Sequence, residues 1–183
     1  MLKKITEEEA IKIYNEYLQF DFKDEEIPSF TDYKKMIGLE GFETLIYEEN
    51  EEQKAYILQR KKEKDIMIFF FAVLKQYRGQ GIGSKCIKEL KQYAGNRNVI
   101  IEVETEENAK NSEENMVIKS RIKFYEKLGF EKIKNIKYNI KGHPYYLMTL
   151  EKNIITEEII NKVKAMYDVK NNNSKWMKIE IIK

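Results

Sequence analysis

Arg78-Gly79-Gln80-Gly81-Ile82-Gly83-Ser84 is the stretch that decides how this chain is read. It follows a run of nine apolar residues, 66–74, and opens a helical spacing of apolar side chains at Ile82, Cys86, Leu90 and Tyr93. The pattern predicts a buried strand feeding a helix through a turn nearly bare of side chains. Glycine lets another molecule approach the main chain closely. The first turn of a helix offers N–H groups that have no partner within the helix, and the helix dipole adds partial positive charge there. Such a turn is an anion cradle, most naturally for phosphate. A glycine-rich turn without a ligand is the plain alternative.

Spacing narrows the choice of ligand. A P-loop places Lys and then Ser or Thr directly after its last glycine. Here Gly83 is followed by Ser84 and then Lys85, the wrong order. A dinucleotide fingerprint requires Gly-x-Gly-x-x-Gly. Read from Gly79 or from Gly81, the third position is Ser84 or Cys86. One pattern is complete: Arg/Gln-x-x-Gly-x-Gly/Ala, as Arg78-x-x-Gly81-x-Gly83. A second stretch, Phe124-Tyr125-Glu126-Lys127-Leu128-Gly129-Phe130, reads as a helix end running into a strand. Val117, Ile118, Ile122, Phe124 and Leu128 give the apolar face, and Gly129 sits where a left-handed C-cap is wanted. Tyr followed by three residues and Gly-Phe, downstream of the glycine turn and an alternating strand at 98–104, resembles the GCN5-related N-acetyltransferases, the GNAT family. The resemblance covers residues 42–152 and is strongest over 66–130.

That resemblance implies an α/β (α+β) fold: a mixed, mostly antiparallel sheet with a central parallel strand pair, flanked by helices. It implies acetyl-CoA as co-substrate, held by Ala72, Val73, Arg78, Gly79, Gln80, Gly81, Ile82, Gly83 and Ser84. The pyrophosphate would lie on the loop amides, and the pantetheine arm near Val73. It also implies acetyl transfer to a primary amine by direct attack. Glu102, within Ile101-Glu102-Val103, stands where similar family members hold a catalytic glutamate, and Tyr125 matches the tyrosine proposed as general acid. In one respect the chain departs from the family. Many members carry Asn and Ala where this chain has Ile118 and Ile122, so the Asn contact to the cofactor arm is not carried over. Arg121 is left between an acceptor role and a cofactor role.

The amine acceptor that the resemblance implies sets a chemical requirement. An alkylammonium of pKa near 10.4 is neutral only about one part in two thousand at pH 7, a deficit of roughly 4–5 kcal/mol. A base recovers part of it. Alternation over 98–104 puts Val99, Ile101 and Val103 on one face and Ile100, Glu102 and Glu104 on the other. Glu104 is therefore a second candidate base. Glu102, Glu104, Glu106, Glu107, Glu113 and Glu114, with only Lys110 among them, either steer cationic acceptors or form a solvated acidic loop. A non-catalytic acyl-CoA-binding regulator on the same fold is the alternative function.

Composition bounds the rest. The chain has 183 residues, 42% hydrophobic and 35% charged, with net charge +2, so no basic field argues for nucleic acid. The nine-residue apolar run is far short of the ~20 residues that span a bilayer, which argues against a membrane protein. No apolar signal region follows Met1, and the single Cys86 fits a reducing, cytoplasmic setting. Cys86 lies on the apolar helix face and reads as core rather than nucleophile. One His and one Cys cannot build a His/Cys zinc site, so no metal is expected. The resemblance implies a small-molecule or peptide amine as acceptor.

The expected elements are a helix over 5–20 capped by Thr6, a break at Pro28-Ser29, and a helix over 30–39. A hairpin of 42–48 and 54–59 follows, with an acidic turn at 49–52. Strand 66–74, buried on both faces, helix 81–94 and strand 98–104 make a right-handed crossover. Asn111 or Ser112 caps a helix to Leu128. Strands 130–140 and 145–150 close around Gly142-His143-Pro144. Residues 1–152 are read as the GNAT-like domain. Residues 153–183 are read as an appendage or homodimer contact, with helix 156–167, linker 171–174 and strand 176–182.

Overall fold

Thr6 starts the first helix through a capping box. Its hydroxyl accepts from the Glu9 N–H, and the Glu9 carboxylate accepts from the Thr6 N–H. The computed structural model describes residues 1–168 and 177–182; the expected linker 171–174 and Trp176 lie outside the described residues. The chain divides into two units, Met1–Lys61 with Ile68–Gly95, and Lys62–Met67 with Asn96–Lys183.

In the first unit, β1 (Leu2–Lys4) precedes α1 (Glu7–Ile13). β1 is not foreseeable from sequence, since three residues with two lysines carry too little pattern to mark a strand. The helix expected to run unbroken to residue 20 is instead interrupted by a π turn, Tyr14–Leu18, and resumes as α2 (Gln19–Asp21). The Tyr33 hydroxyl donates to the Ala10 carbonyl just before that turn, at 2.8 Å. Ser29 caps α3 (Phe30–Ile37). Strands β2 (Phe42–Glu49) and β3 (Glu52–Lys62) form the expected hairpin, closed by Asn50 and Glu51, both at positive φ. β4 (Asp65–Val73) follows, then helix α4 (Ile82–Ala94), which ends at Gly95. The strand order here is β1-β2-β3-β4. Ala10, Ile13, Leu18 and Tyr33 from the helices pack with Tyr56 and Leu58 of β3 in one apolar cluster. Double-sided burial of β4 holds only in part. Ile66, Met67 and Ile68 are buried, whereas Phe69, Phe70 and Phe71 are partly exposed.

Gly41 packs tightest of the glycines in this unit. Its φ is +78°, and a Cβ built on it would sit 2.0 Å from the Lys61 carbonyl oxygen. That carbonyl cannot withdraw easily, because the Lys61 N–H donates to the Gly41 carbonyl at 2.8 Å. Gly41→Ala is expected to cost about 3 kcal/mol or more, adding a steric clash to left-handed strain. The thermal midpoint should fall by roughly 6–12 °C. A fall of less than a degree in thermal denaturation would refute this.

In the second unit, β5 (Asn98–Glu104) has the expected bounds. It is the parallel partner of β4, and the Asn98 N–H donates to the Lys64 carbonyl at 2.9 Å. β8 (His143–Thr149) runs antiparallel to β5 on one side and to β6 (Glu131–Lys132) and β7 (Ile136–Ile140) on the other. β9 (Met177–Ile181) adds to β7, also antiparallel. The single strand expected over 130–140 is thus broken into β6 and β7, with Asn135 at φ +60° between them. The closing turn is Lys141-Gly142; His143 and Pro144 already belong to β8. Asn111 caps α5 (Ser112–Lys127), accepting from the Glu114 N–H, and Gly129 takes the left-handed conformation at its far end. α6 (Thr156–Met166) lies within the expected helix. The result is the expected mixed, mostly antiparallel sheet with one parallel pair and flanking helices. Among the described residues, no helix is long and apolar enough to cross a membrane.

Candidate active site

The glycine turn is built as an open cradle. Gly81 is the N-cap of α4, at φ +75°, and offers no side chain to the helix. The N–H groups of Ile82, Gly83 and Ser84 therefore sit in a first turn whose donors have no intrahelical partner. A Cβ at Gly79 or at Gly81 would meet nothing within 4 Å. These glycines are consequently not explained by close contact within the protein around them. Their positive φ and the bare approach to the amides account for them.

Arg78 has a more defined task than the sequence suggested. Its Nε donates to the Val73 carbonyl at 2.9 Å, and its guanidinium is 2.5 Å from the Asp21 carboxylate. Asp21 also accepts from the Tyr56 hydroxyl at 3.0 Å. The arginine side chain thereby ties the start of the loop to the end of β4 and to α2, and its backbone remains part of the turn. Ala72 is buried in the apolar cluster, one residue before Val73. Neither Asp21 nor Tyr56 was singled out in the sequence, because a contact spanning 57 residues leaves no local pattern.

In the second unit, the two candidate carboxylates of β5 meet different fates. Glu104 is buried and forms a 2.6 Å ion pair with Arg121 of α5. Its carboxylate is thereby engaged by a cation. Glu102 instead accepts from two phenols. The Tyr138 hydroxyl donates to Oε1, and the Tyr167 hydroxyl lies 2.8 Å from both Oε1 and Oε2. Desolvation pushes the Glu102 carboxyl up to about 7, and the two hydroxyls offset part of that rise.

Register explains part of this cluster. Glu104 faces Tyr145, Tyr145 faces Tyr138, and Tyr138 faces Ile179 across β5, β8, β7 and β9. Glu102 and Leu147 form the adjacent row on the same face. Tyr138 could have been placed by the alternation of Ile136, Tyr138 and Ile140. Nothing local marks Tyr167, the residue that closes α6.

Tyr125 lies in the last turn of α5 and is buried, its ring 5.0 Å from Phe124 and 5.6 Å from Phe130. Its carbonyl accepts from the N–H groups of Leu128 and Phe130, so the Gly129 cap locks the helix end that carries it. Of the acidic residues near β5, Glu106 accepts from the Tyr146 hydroxyl at 2.9 Å, and Glu114 accepts from the Lys110 N–H at 3.1 Å. Part of the acidic loop is thus engaged internally. Cys86 is fully buried, and burial pushes its thiol up, away from the thiolate a nucleophile needs. Among the described residues, no group of His, Cys, Asp and Glu is arranged to hold a metal ion.

The profile of the acetyltransferase (GNAT) domain family matches residues 40–132. Both sequence motifs fall within that span. Among solved structures, a protein from Bacteroides thetaiotaomicron described as a GNAT-family acetyltransferase superposes with a TM-score of 0.75 at 20% identity, covering 90% of this chain and 94% of that one. The ribosomal-protein-S18-alanine N-acetyltransferase of Escherichia coli gives 0.58 at 18% identity, covering 85% of this chain and 98% of that one. A GNAT-family acetyltransferase from Elizabethkingia anophelis with acetyl-CoA bound gives 0.56 at 15% identity, covering 82% and 97%. At these identities the likeness is one of fold. No curated protein matches the chain.

Proposed function

The chain belongs to the GNAT acetyltransferase family, and from that premise we propose that it is an N-acetyltransferase moving the acetyl group of acetyl-CoA to a primary amine. The observation that carries the reading is Glu102. It is a carboxylate whose surroundings lift its proton affinity to near neutrality, and among the described residues its ionisation is governed by burial and two phenols, with no cation. The ion pair of Glu104 with Arg121 argues for Glu102 as the base of the two.

Magnitudes favour this choice. Moving a proton from an alkylammonium of pKa near 10.4 to an ordinary carboxylate near 4.5 is uphill by about six pK units. To a carboxylate near 7 it is uphill by about three and a half, an improvement of roughly 3 kcal/mol. A base poised near the working pH is also ionised about half the time, so the gain is usable.

The residues of the first unit fit the co-substrate. The bare N-cap at Gly81 and the open Cβ directions at Gly79 and Gly81 suit a pyrophosphate on the amides of residues 78–84. Ala72 and Val73 would lie along the arm, and Arg78 would contribute through its backbone. Acetyl-CoA supplies a thioester with a thiolate leaving group. In this reading Glu102 takes a proton from the acceptor ammonium, directly or through water, and the Tyr125 hydroxyl holds a proton for the departing sulfur.

The test is incubation with acetyl-CoA and a panel of peptide N-termini, lysine peptides, polyamines, aminoglycosides and small amines, reading thiol release. Turnover is expected with at least one, and Glu102→Gln should lower it most at neutral pH and less at high pH. Binding of acetyl-CoA without turnover on any acceptor would return the chain to the regulator reading.

A further inference from the structure

The residues around Glu102 assign a role to the last part of the chain. We propose that Tyr138 and Tyr167 are positioning residues for Glu102, a pair of phenol donors that fix its carboxylate and leave Oε2 as its proton-accepting atom. The inference rests on Glu102 being the base. Tyr138 comes from β7 and Tyr167 from the C-terminal end of α6, both beyond residue 132, where the family match stops.

The geometry is asymmetric in a useful way. Oε1 accepts from Tyr138 and lies 2.8 Å from Tyr167, whereas Oε2, among the described residues, is bonded by Tyr167 alone. A hydroxyl has one proton, so Tyr167 shares it between the two oxygens. Oε1 is therefore the more fully bonded oxygen, and the spare lone pairs are on Oε2. Both phenols are held in their protonated, donating form by burial and by the neighbouring carboxylate. They can orient the carboxylate but not compete with it for the proton.

The two phenols also hydrogen-bond each other, and other ionisable groups share this face. On its own strand, Glu104 is paired with Arg121 of α5. On β8, Tyr145 acts on Tyr167. Among the described residues, the groups that act on Glu102 are Tyr138 of β7 and Tyr167 after α6, and each lowers its proton affinity against the larger effect of burial. Removing either donor must therefore raise the pKa of Glu102, whereas a packing role alone would leave it in place.

The experiment is a carboxyl-carbon NMR titration of the free protein, with the Glu102 resonance assigned by its loss in Glu102→Gln. The wild-type midpoint is expected near 7. Tyr167→Phe and Tyr138→Phe should each move it up by about one pH unit, and the acidic limb of the kcat/KM profile should move with it. If neither variant folds, fluorotyrosine in place of all tyrosines leaves the sequence order intact. Its more acidic phenols should move the midpoint down. A midpoint that stays put in the folded variants, or in the fluorotyrosine protein, overturns the inference while Glu102 remains the base. A pH profile unchanged by Glu102→Gln overturns the base assignment and this inference with it.

Discussion

Gly81→Glu should weaken acetyl-CoA binding by at least about 100-fold in calorimetry while leaving the fold intact. The expectation follows from where Gly81 sits. It caps α4 at φ +75° with open space where a side chain would start, so the substituent clashes with no protein atom at its base. Left-handed strain costs roughly 1–2 kcal/mol for a non-glycine residue. A carboxylate near a helix N-terminus returns about 0.3–1 kcal/mol through the dipole. Stability therefore changes little, but the new charge stands where a pyrophosphate must. Gly81→Asn separates the two effects, since Asn tolerates the left-handed region and adds no charge. It should bind within about tenfold of wild type. If the Glu variant bound as well as wild type, the anion cradle would be wrong.

The second large effect is expected at Tyr125. Tyr125→Phe removes one hydroxyl and keeps the ring that packs against Phe124 and Phe130. The helix end is held by backbone bonds to the Tyr125 carbonyl, which the substitution does not touch. Stability and co-substrate affinity should therefore be close to wild type. If the hydroxyl protonates the departing thiolate, kcat should drop by about 100-fold. Steady-state kinetics with the best amine from the panel would decide it, and a kcat within twofold of wild type would remove Tyr125 from the mechanism.

The parts of the molecule that could be read from sequence were those whose cause is local. The glycine turn, the 98–104 strand and the Gly129 helix end each rest on a few neighbouring residues, and each sits where the sequence put it; of the two caps left open at Asn111 and Ser112, Asn111 is the one formed. The π turn at Tyr14–Leu18 and the bond from the Tyr33 hydroxyl to the Ala10 carbonyl, 23 residues away, are features that periodicity cannot see. The break between β6 and β7 has the same character, because both pieces pair with one downstream strand. At the candidate site, the family resemblance put Glu102 first and left Glu104 as runner-up. The structure gives the two different partners on other elements: Arg121 beside Glu104, and Tyr138 and Tyr167 on Glu102. A strand pattern tells which face a carboxylate occupies; what waits on that face is set by the topology.

Cys86 gives the protein a built-in gauge of its own opening. It is the chain's one thiol, its side chain is wholly covered on α4, and burial disfavours the reactive thiolate. A thiol reagent can reach it only when the helix leaves the core, so the labelling rate under native conditions measures the population of opened molecules. The same property keeps the folded protein silent in an assay that counts free coenzyme A thiol. A substitution that loosens the core will betray itself as slow, acceptor-independent consumption of the reagent, distinguishable from turnover before any denaturation curve is drawn.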